Sequence, residues 1–200
     1  MRPIQPTDSP LLREIYVDAI QTQAAQAYSP EQIRAWSNLA WLPGLLDRIL
    51  EEGQGWISGI DDGFAIRYPV NRLSMLYCRG RSSRQGHGTA LLQAIERDAQ
   101  RMGIQRLLTE ASLLSRPMLE QRGWTVIAPE PFMIAGVPFV RFQMEKYWAE
   151  SPPILRPSKE KNKPLRETTI GRRPHPKALK IAPTHGENIA PFRLRQEPER

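Results

Sequence analysis

The chain of 200 residues carries a formal net charge of +7, and 40% of its residues are hydrophobic, enough for a core of ordinary size. Its one cysteine excludes an internal disulfide, and no apolar run approaches the roughly eighteen residues that span a membrane. The amino terminus also lacks the apolar core of a signal peptide. We therefore expect a soluble, cytoplasmic protein without a membrane partner.

The net charge belongs to the carboxyl-terminal part of the chain. Residues 151–200 hold 12 of the 28 lysines and arginines and 5 of the 21 aspartates and glutamates, so residues 1–150 hold 16 of each sign. The last 50 residues also contain 9 of the 19 prolines and one aromatic residue, Phe192. Such a segment buries too little apolar surface to offset its ordering. We expect a folded domain over residues 1–149 and a basic, proline-rich, disordered tail over residues 150–200.

Apolar spacing in the first quarter of the chain predicts three helices. The first has an apolar face that runs from Leu11 to Ile20. The second opens at a capping box formed by Ser29 and Gln32, with Pro30 at the first helical position. A third, short helix is expected over residues 44–51.

The rest of the folded part predicts strands and two further helices. The segment Asp61-Asp62-Gly63 is a hairpin signal between two of the strands. The expected strands cover residues 2–5, 56–60, 64–68, 73–78, 104–109, 124–128 and 137–148. The expected helices cover residues 88–102 and 115–122. This order predicts an α/β (α+β) fold of three layers, with helices on both faces of a mixed central sheet.

A polar loop joins the strand at residues 73–78 to the helix that follows it. Residues 83–89 read SRQGHGT. A helix entered through Gly86 and Gly88 leaves its first N–H groups unpaired and directed at one spot, with the positive end of the helix dipole behind them. Arg81 and Arg84 add charge. The loop therefore predicts a phosphate site.

Two commoner phosphate loops do not fit this segment. A P-loop has four residues between its glycines and then lysine, whereas five residues separate Gly80 from Gly86 here and His87 follows. The dinucleotide fingerprint G-x-G-x-x-G needs glycine or alanine where this chain has Leu91. The loop instead resembles the pyrophosphate loop of the GCN5-related N-acetyltransferase (GNAT) superfamily, whose pattern is Arg/Gln-x-x-Gly-x-Gly/Ala.

Two segments carry this resemblance. Gly86 and Gly88 match the small positions of the loop, while Ser83 stands where the family has Arg or Gln. Residues 112–124, SLLSRPMLEQRGW, are similar to the family's Asn-x-x-Ala-x-x-Phe-Tyr-Glu-x-x-Gly-Phe segment. The register agrees at Glu120, Gly123 and Trp124. The resemblance covers residues 1–148 and implies a GNAT-like fold and an N-acetyltransferase. Such an enzyme moves acetyl from acetyl-CoA to an amine of a small molecule or protein by direct attack.

The resemblance also implies where acetyl-CoA, the co-substrate, lies. In the family it occupies the opening between two splayed parallel strands, here residues 73–78 and 104–109. Backbone groups of residues 76–78 take the pantetheine arm and thioester, residues 83–89 take the pyrophosphate, and Ser112 bonds the cofactor. The implied cofactor-binding residues are Leu76, Tyr77, Cys78, Ser83, Arg84, Gln85, Gly86, His87, Gly88, Thr89 and Ser112. No metal site is predicted.

Two catalytic roles follow from the chemistry of amine acetylation. An amine with a pKa of roughly 10.4 is protonated at neutral pH, so a base must first remove a proton. Glu110, just past the second splayed strand, is the expected base; otherwise it is a solvated carboxylate. His87 is a base only if its ring turns toward the cleft. The family often has at Leu119 a tyrosine that protonates the leaving thiolate, so Tyr77 is the expected substitute unless it is a core aromatic residue.

The acceptor and the function class stay open on sequence alone. Four aromatic residues either line an apolar acceptor pocket or belong to the core: Tyr28, Trp36, Trp41 and Phe132. Ser83 and Leu119 raise the alternative of an acyl-CoA-binding protein with weak catalysis. A third class uses the basic tail to tether the domain to nucleic acid or the ribosome, through a weak, salt-dependent contact. The sequence also leaves open whether the chain forms a homodimer.

Overall fold

The computed structural model describes residues 1–44 and 46–148, and it has five α-helices and seven strands in those residues. The helices are α1 (Ser9–Gln23), α2 (Pro30–Asn38), α3 (Asp47–Glu52), α4 (His87–Arg101) and α5 (Arg116–Gln121). The strands are β1 (Arg2–Pro3), β2 (Gln54–Ser58), β3 (Gly63–Arg67), β4 (Leu73–Cys78), β5 (Arg106–Ala111), β6 (Thr125–Ile134) and β7 (Val137–Tyr147). The disordered tail predicted for residues 150–200 lies outside the described residues. No helix in the described part is long and apolar enough to cross a membrane.

Local sequence signals explain where several of these elements begin and end. The capping box is confirmed, because the Ser29 hydroxyl accepts a hydrogen bond from the Gln32 N–H at 3.2 Å and the Gln32 side chain accepts one from the Ser29 N–H at 2.9 Å. The strand predicted over residues 124–128 is longer than expected. It continues through Pro129 and Pro131, because β6 is the edge strand of its sheet and prolines are tolerated on an edge.

The strands form two antiparallel sheets, ordered β1-β2-β3-β4 and β5-β7-β6. The sheets meet between β4 and β5, where a single parallel bridge joins Arg72 to Leu108. The Leu108 N–H donates to the Asn71 carbonyl at 2.9 Å, and the buried Thr109 hydroxyl donates to the Leu73 carbonyl at 2.8 Å. The predicted mixed sheet is therefore divided where its two parallel strands diverge.

A β-bulge in β4 lies next to this junction. Ile66 of β3 pairs with Met75 and Arg67 pairs with Leu73, so Ser74 is an extra residue on the β4 side. The Ser74 hydroxyl donates to the carbonyl of Tyr68. A bulge bends its strand and leaves the ladder locally disrupted, which accounts for the divergence of β4 from β5 just past the bridge.

Helices cover both faces of the sheets, as the sequence predicts. The core under α1, α2 and α3 contains the buried residues of the α1 face, among them Leu12, Ile15 and Ile20. The second core lies under α4 and α5. Strand β7 serves both cores, because Phe139 packs into the first and Met144, on its other face, packs into the second.

Candidate functional site

A groove opens where β4 and β5 diverge. Its inner cavity is lined by all six residues of β4 and by side chains of α1, β5 and α5. Its outer cavity follows the loop from β4 to α4. The two cavities share lining residues and so form one continuous groove. The shared residues are Gln23, Cys78, Gly88, Leu114 and Met118.

The loop enters α4 through left-handed backbone. Gly86, the N-cap, has φ of 89°, and Arg84 has φ of 59°. A Cβ built on Gly88 would lie 3.6 Å from Cys78 Sγ and 3.7 Å from Met118 Sδ, so this residue faces the groove. Gly86, Gly88 and Thr89 line the outer cavity, where the first helix N–H groups have no intrahelical partner. The structure thus builds a concave site suited to an anion.

The two arginines of the loop differ in their surroundings. Both Arg81 and Arg84 line the outer cavity. Arg81 forms an ion pair with Asp61 of the β2–β3 hairpin, which offsets part of its charge. Arg84 is exposed at the mouth of the cavity. Arg84 is therefore the stronger candidate for a contact with phosphate.

Three side chains that the sequence analysis missed hold this loop in place. Asp18 of α1 accepts a hydrogen bond from the Gly80 N–H at 2.8 Å. Gln23 accepts one from the Ser83 hydroxyl at 3.0 Å and donates to the Cys78 carbonyl. Asp62 accepts one from the Ser82 hydroxyl, and this hydrogen bond lowers the pKa of Asp62. The Ser83 hydroxyl is thus bound to α1.

The signal for these three residues was weak in the sequence. Asp62 appeared only as part of a hairpin signal, and its bond to the loop depends on a contact across twenty residues. Asp18 and Gln23 lie on α1, about sixty residues before the groups they bind. No local pattern reports such contacts.

His87 turns away from the groove. Its Nδ1 lies 2.8 Å from the hydroxyl of Ser58, at the end of β2. The side chain lines neither cavity. The geometry favours the interpretation of His87 as a residue of the first helical turn over that of a base.

Glu110 lies inside β5 rather than past its end, because this strand continues to Ala111. The strand therefore ends two residues later than the predicted end at residue 109. Its side chain is 18% exposed, lines the inner cavity and forms an ion pair with Arg72. The ion pair orients the carboxylate at the edge of the cleft, where a base would be needed.

Tyr77 and Cys78 point to opposite sides of β4. The Tyr77 ring packs 4.7 Å from the ring of Tyr16 and 5.8 Å from that of Phe64, and burial raises its pKa. Its hydroxyl is a poorer proton donor as a result. Burial, with the charge of Asp62, raises the pKa of the Cys78 thiol to about 11, so the thiol is neutral at pH 7.

The remaining predicted residues differ in position, and Gln85 lines neither cavity, because its exposed side chain donates to the Arg81 carbonyl at 2.8 Å. Ser112 lines the inner cavity, and its hydroxyl accepts from the Ser115 N–H at 3.1 Å, which caps the turn before α5. Leu119 is 1% exposed in the second core. Trp36 lines the inner cavity, whereas Trp41 is 60% exposed outside it. The described residues contain no cluster of histidine, cysteine, aspartate or glutamate that could hold a metal ion.

Tyr28 and Phe132 belong to an aromatic cluster around Phe139. Their ring centroids lie 5.9 Å and 5.4 Å from that of Phe139. Tyr28 is 7% exposed, and its hydroxyl accepts a hydrogen bond from the Leu113 N–H at 2.9 Å. Tyr28 is thus a core residue, while Phe132 is partly exposed at the edge of the cluster.

Two diverging parallel strands with a glycine-led helix start at their mouth are the arrangement that the resemblance to the acetyltransferases implies. The sequence profile of the family described as acetyltransferase (GNAT) domain matches residues 24–146, which is more than half of the chain. The chain therefore belongs to the GNAT acetyltransferase family.

Individual relatives agree with this assignment. The chain is 27% identical over 150 residues to a protein of Escherichia coli (strain K12) named uncharacterized N-acetyltransferase YafP, covering 72% of this chain and 93% of that protein. A crystal structure from Rhodopseudomonas palustris, named GCN5-related N-acetyltransferase: aminotransferase, class-II, matches with a TM-score of 0.69 and 26% identity over 74% of this chain and 94% of that one.

A more distant structure shares the fold. The PaiA N-acetyltransferase of Thermoplasma acidophilum, solved in complex with coenzyme A, matches with a TM-score of 0.55 and 18% identity. The match covers 74% of this chain and all of that one.

Proposed function

We propose that this protein transfers an acetyl group from acetyl-CoA to an amine of a small molecule or protein. The observation that carries the proposal is the divergence of β4 and β5 at the bulge, with the amino terminus of α4 at the mouth of the opening. Acetyl-CoA is the co-substrate that fits the family. The unpaired thiol of Cys78 agrees with a reducing, cytoplasmic location.

The groove fits an elongated ligand with a charged end. Its outer cavity offers the first N–H groups of α4 and the guanidinium of Arg84, which suit a pyrophosphate. Cys78, Gly88 and Met118 line both cavities, and a Cβ built on Gly88 would contact the sulfur atoms of the other two, so glycine leaves room there for a ligand chain. Its inner cavity is lined by Glu110 and Ser112, beside which the reacting groups would meet.

The chain's own groups supply three elements of the reaction. The bulge leaves Ser74 outside the β3–β4 pairing, and a backbone N–H of β4 freed in this way can bond the carbonyl oxygen of the bound thioester. Glu110 accepts the proton of the amine as it attacks. Leu119 stands at the family's tyrosine position, and the partly buried Tyr77 packs on Tyr16 with a raised pKa, so the thiolate leaves without a strong proton donor.

The test is release of the CoA thiol, followed with a thiol-reactive dye, for a panel of primary amines with acetyl-CoA. We expect turnover with at least one amine and a fall of at least tenfold in kcat for Glu110→Gln, with the KM for acetyl-CoA unchanged. Glu120→Gln is the matched control, because Glu120 is exposed on α5 and pairs with Arg116. Equal turnover by both variants would remove Glu110 from the mechanism.

Leu119 and Tyr77 favour a second candidate, a protein that binds acyl-CoA and transfers it weakly. The two candidates differ in turnover and not in binding. A clear thermal shift with acetyl-CoA and no thiol release above the acceptor-free rate, across the amine panel, would favour the binding protein. The tethering role of the tail concerns residues outside the described part of the chain and stays a prediction.

A further inference from the structure

Four charged side chains form a row beside the inner cavity. Arg72 pairs with Glu110, and Arg141 binds Glu130 through two hydrogen bonds of 3.0 Å and 2.8 Å. The exposed fractions of the side chains are 38% for Arg72, 18% for Glu110, 35% for Arg141 and 30% for Glu130. All four side chains are partly shielded from water and still accessible to a ligand.

The strand register places Glu110, Glu130 and Arg141 of this row on one face, and Arg72, just before β4, reaches them through its ion pair with Glu110. Glu110 is opposite Gln143, and Glu130 is opposite Arg141, so the side chains of these four residues point to the same side of the sheet. Phe139, two residues before Arg141, lies on that side too and packs in the core under α1 and α2. The Cα of Arg141 is about 8 Å from that of Glu110, one strand across and two residues along.

Helix α2 covers only one end of this face. The Gln32 side chain of α2 donates to the Pro138 carbonyl at 2.7 Å, at the start of β7. Further along β7, Arg141 stacks on Phe132 at 4.7 Å from the ring centroid, and Gln143 donates to Glu130 at 3.3 Å. The row thus extends from Glu110, which lines the inner cavity, to Glu130 and Arg141, where the guanidinium lies over the Phe132 ring.

The two arginines of the row repel each other. Burial, and then the charge of Arg141, lowers the pKa of Arg72, while Glu130 opposes this effect. Guanidinium groups bind carboxylates through paired, planar hydrogen bonds. An incoming carboxylate can accept hydrogen bonds from the guanidinium N–H groups that the two glutamates leave free, and an uncharged carboxamide accepts them more weakly.

Resting on the proposed function, we propose that this row binds the acceptor, and that the acceptor is a zwitterion of amino-acid size. Its carboxylate is held by Arg141 and Arg72, and its amine lies at Glu110. The ammonium first releases one proton to solvent; the neutral amine nitrogen then bonds to the acetyl carbon and passes its second proton to Glu110. The carbon–sulfur bond breaks, and the thiolate leaves with the electron pair. The balance of two positive and two negative groups suits a ligand without net charge.

The chain offers a matched control pair on the same face. Arg106 of β5 and Glu145 of β7 form an ion pair, with 2.6 Å between Nη2 and Oε2. The side chain of Arg106 is 45% exposed. Arg106 stands four residues before Glu110 and does not line the inner cavity. Loss of its charge therefore disturbs an equivalent cross-strand ion pair without touching the proposed acceptor site.

Calorimetric titration of the full chain, saturated with CoA, tests the proposal. The probes are the common α-amino acids, β-alanine and γ-aminobutyrate, each compared with its carboxamide. We expect at least one acid to bind tenfold or more tightly than its amide. Arg141→Gln should remove that preference, Arg141→Lys should retain part of it, and Arg106→Gln should leave it intact. An unchanged thermal shift of Arg141→Gln with acetyl-CoA shows that this variant is folded.

Two results would overturn the proposal: no acid bound in preference to its amide, or an equal loss in Arg141→Gln and Arg106→Gln. Failure of the proposed function would look different, as an absent acetyl-CoA shift in the unaltered protein. In that case the same comparison of acids with amides, made without CoA, still decides whether the row binds zwitterions.

Discussion

Two substitutions of Gly88, to alanine and to leucine, test whether a side chain there blocks ligand binding without destabilising the fold. The Cβ of alanine would lie 3.6 Å from Cys78 Sγ and 3.7 Å from Met118 Sδ, both ordinary contacts. Gly88→Ala should therefore leave the fold intact and stabilise it by up to about 1 kcal/mol, because alanine loses less backbone entropy on folding. The longer side chain of Gly88→Leu must extend into the groove between Cys78 and Met118.

The expected magnitudes follow from ligand linkage. Acetyl-CoA at a hundred times its Kd stabilises the fold by about 2.7 kcal/mol, and a tenfold rise in Kd reduces this to about 1.4 kcal/mol. A domain of this size melts about 2–4 °C higher for each kcal/mol. We expect shifts of about 5–11 °C for the unaltered protein and for Gly88→Ala, and about 3–6 °C or less for Gly88→Leu.

The assay is differential scanning fluorimetry at one fixed acetyl-CoA concentration. Gln93→Leu is the control, because Gln93 is an exposed residue of the same helix and lines neither cavity. It should retain the full shift. A full shift in Gly88→Leu as well would refute the reasoning, because the ligand would then not pass beside the start of α4.

Three further predictions concern the junction, the thiol and the tail. Thr109→Val removes the buried hydrogen bond to Leu73, so the free energy of unfolding in urea should fall by about 1–3 kcal/mol, while Thr109→Ser should retain most of it. Because the pKa of Cys78 is raised to about 11, little of its thiol is ionised at pH 8, and iodoacetamide should alkylate it about a hundredfold more slowly than a free thiol. The alkylation rate should rise as the pH approaches 11. It should fall further when acetyl-CoA is bound. The chain truncated after Trp148 should keep its acetyl-CoA thermal shift.

Each of these predictions would be contradicted by a specific result. Equal stability of the Thr109 variants would mean that the hydroxyl does not hold the two sheets together. Alkylation of Cys78 at the rate of a free thiol, or without protection by acetyl-CoA, would contradict its position in the groove. Loss of the thermal shift on truncation would show that residues 149–200 belong to the folded domain.

Local signals explain what the sequence predicts well. The capping box at Ser29 and the glycines at 86 and 88 act through neighbours within one turn of helix, so their spacing alone defines the structure. The helical face of α1 is read from its apolar period in the same way. The family assignment follows, because its two motifs are also short and contiguous.

Contacts between distant segments explain what the sequence did not predict. The bulge at Ser74 depends on the register of β4 against β3, which apolar alternation does not define. The loop supports Asp18 and Gln23 come from α1, and Arg72 reaches Glu110 across the junction of the sheets. The strand predicted over residues 124–128 stops before the prolines of β6, because the sequence does not show that β6 is an edge strand.

The central claim is that acetyl-CoA binds in this groove with its pyrophosphate at the start of α4. Calorimetric titration of acetyl-CoA into the unaltered protein, Arg84→Glu and Arg97→Glu tests it most directly. Arg97 is exposed further along α4, outside the groove, so its reversal matches the change in net charge. The account predicts binding that weakens at least tenfold in Arg84→Glu and is retained in Arg97→Glu. No binding to the unaltered protein, or equal binding by both variants, would contradict it.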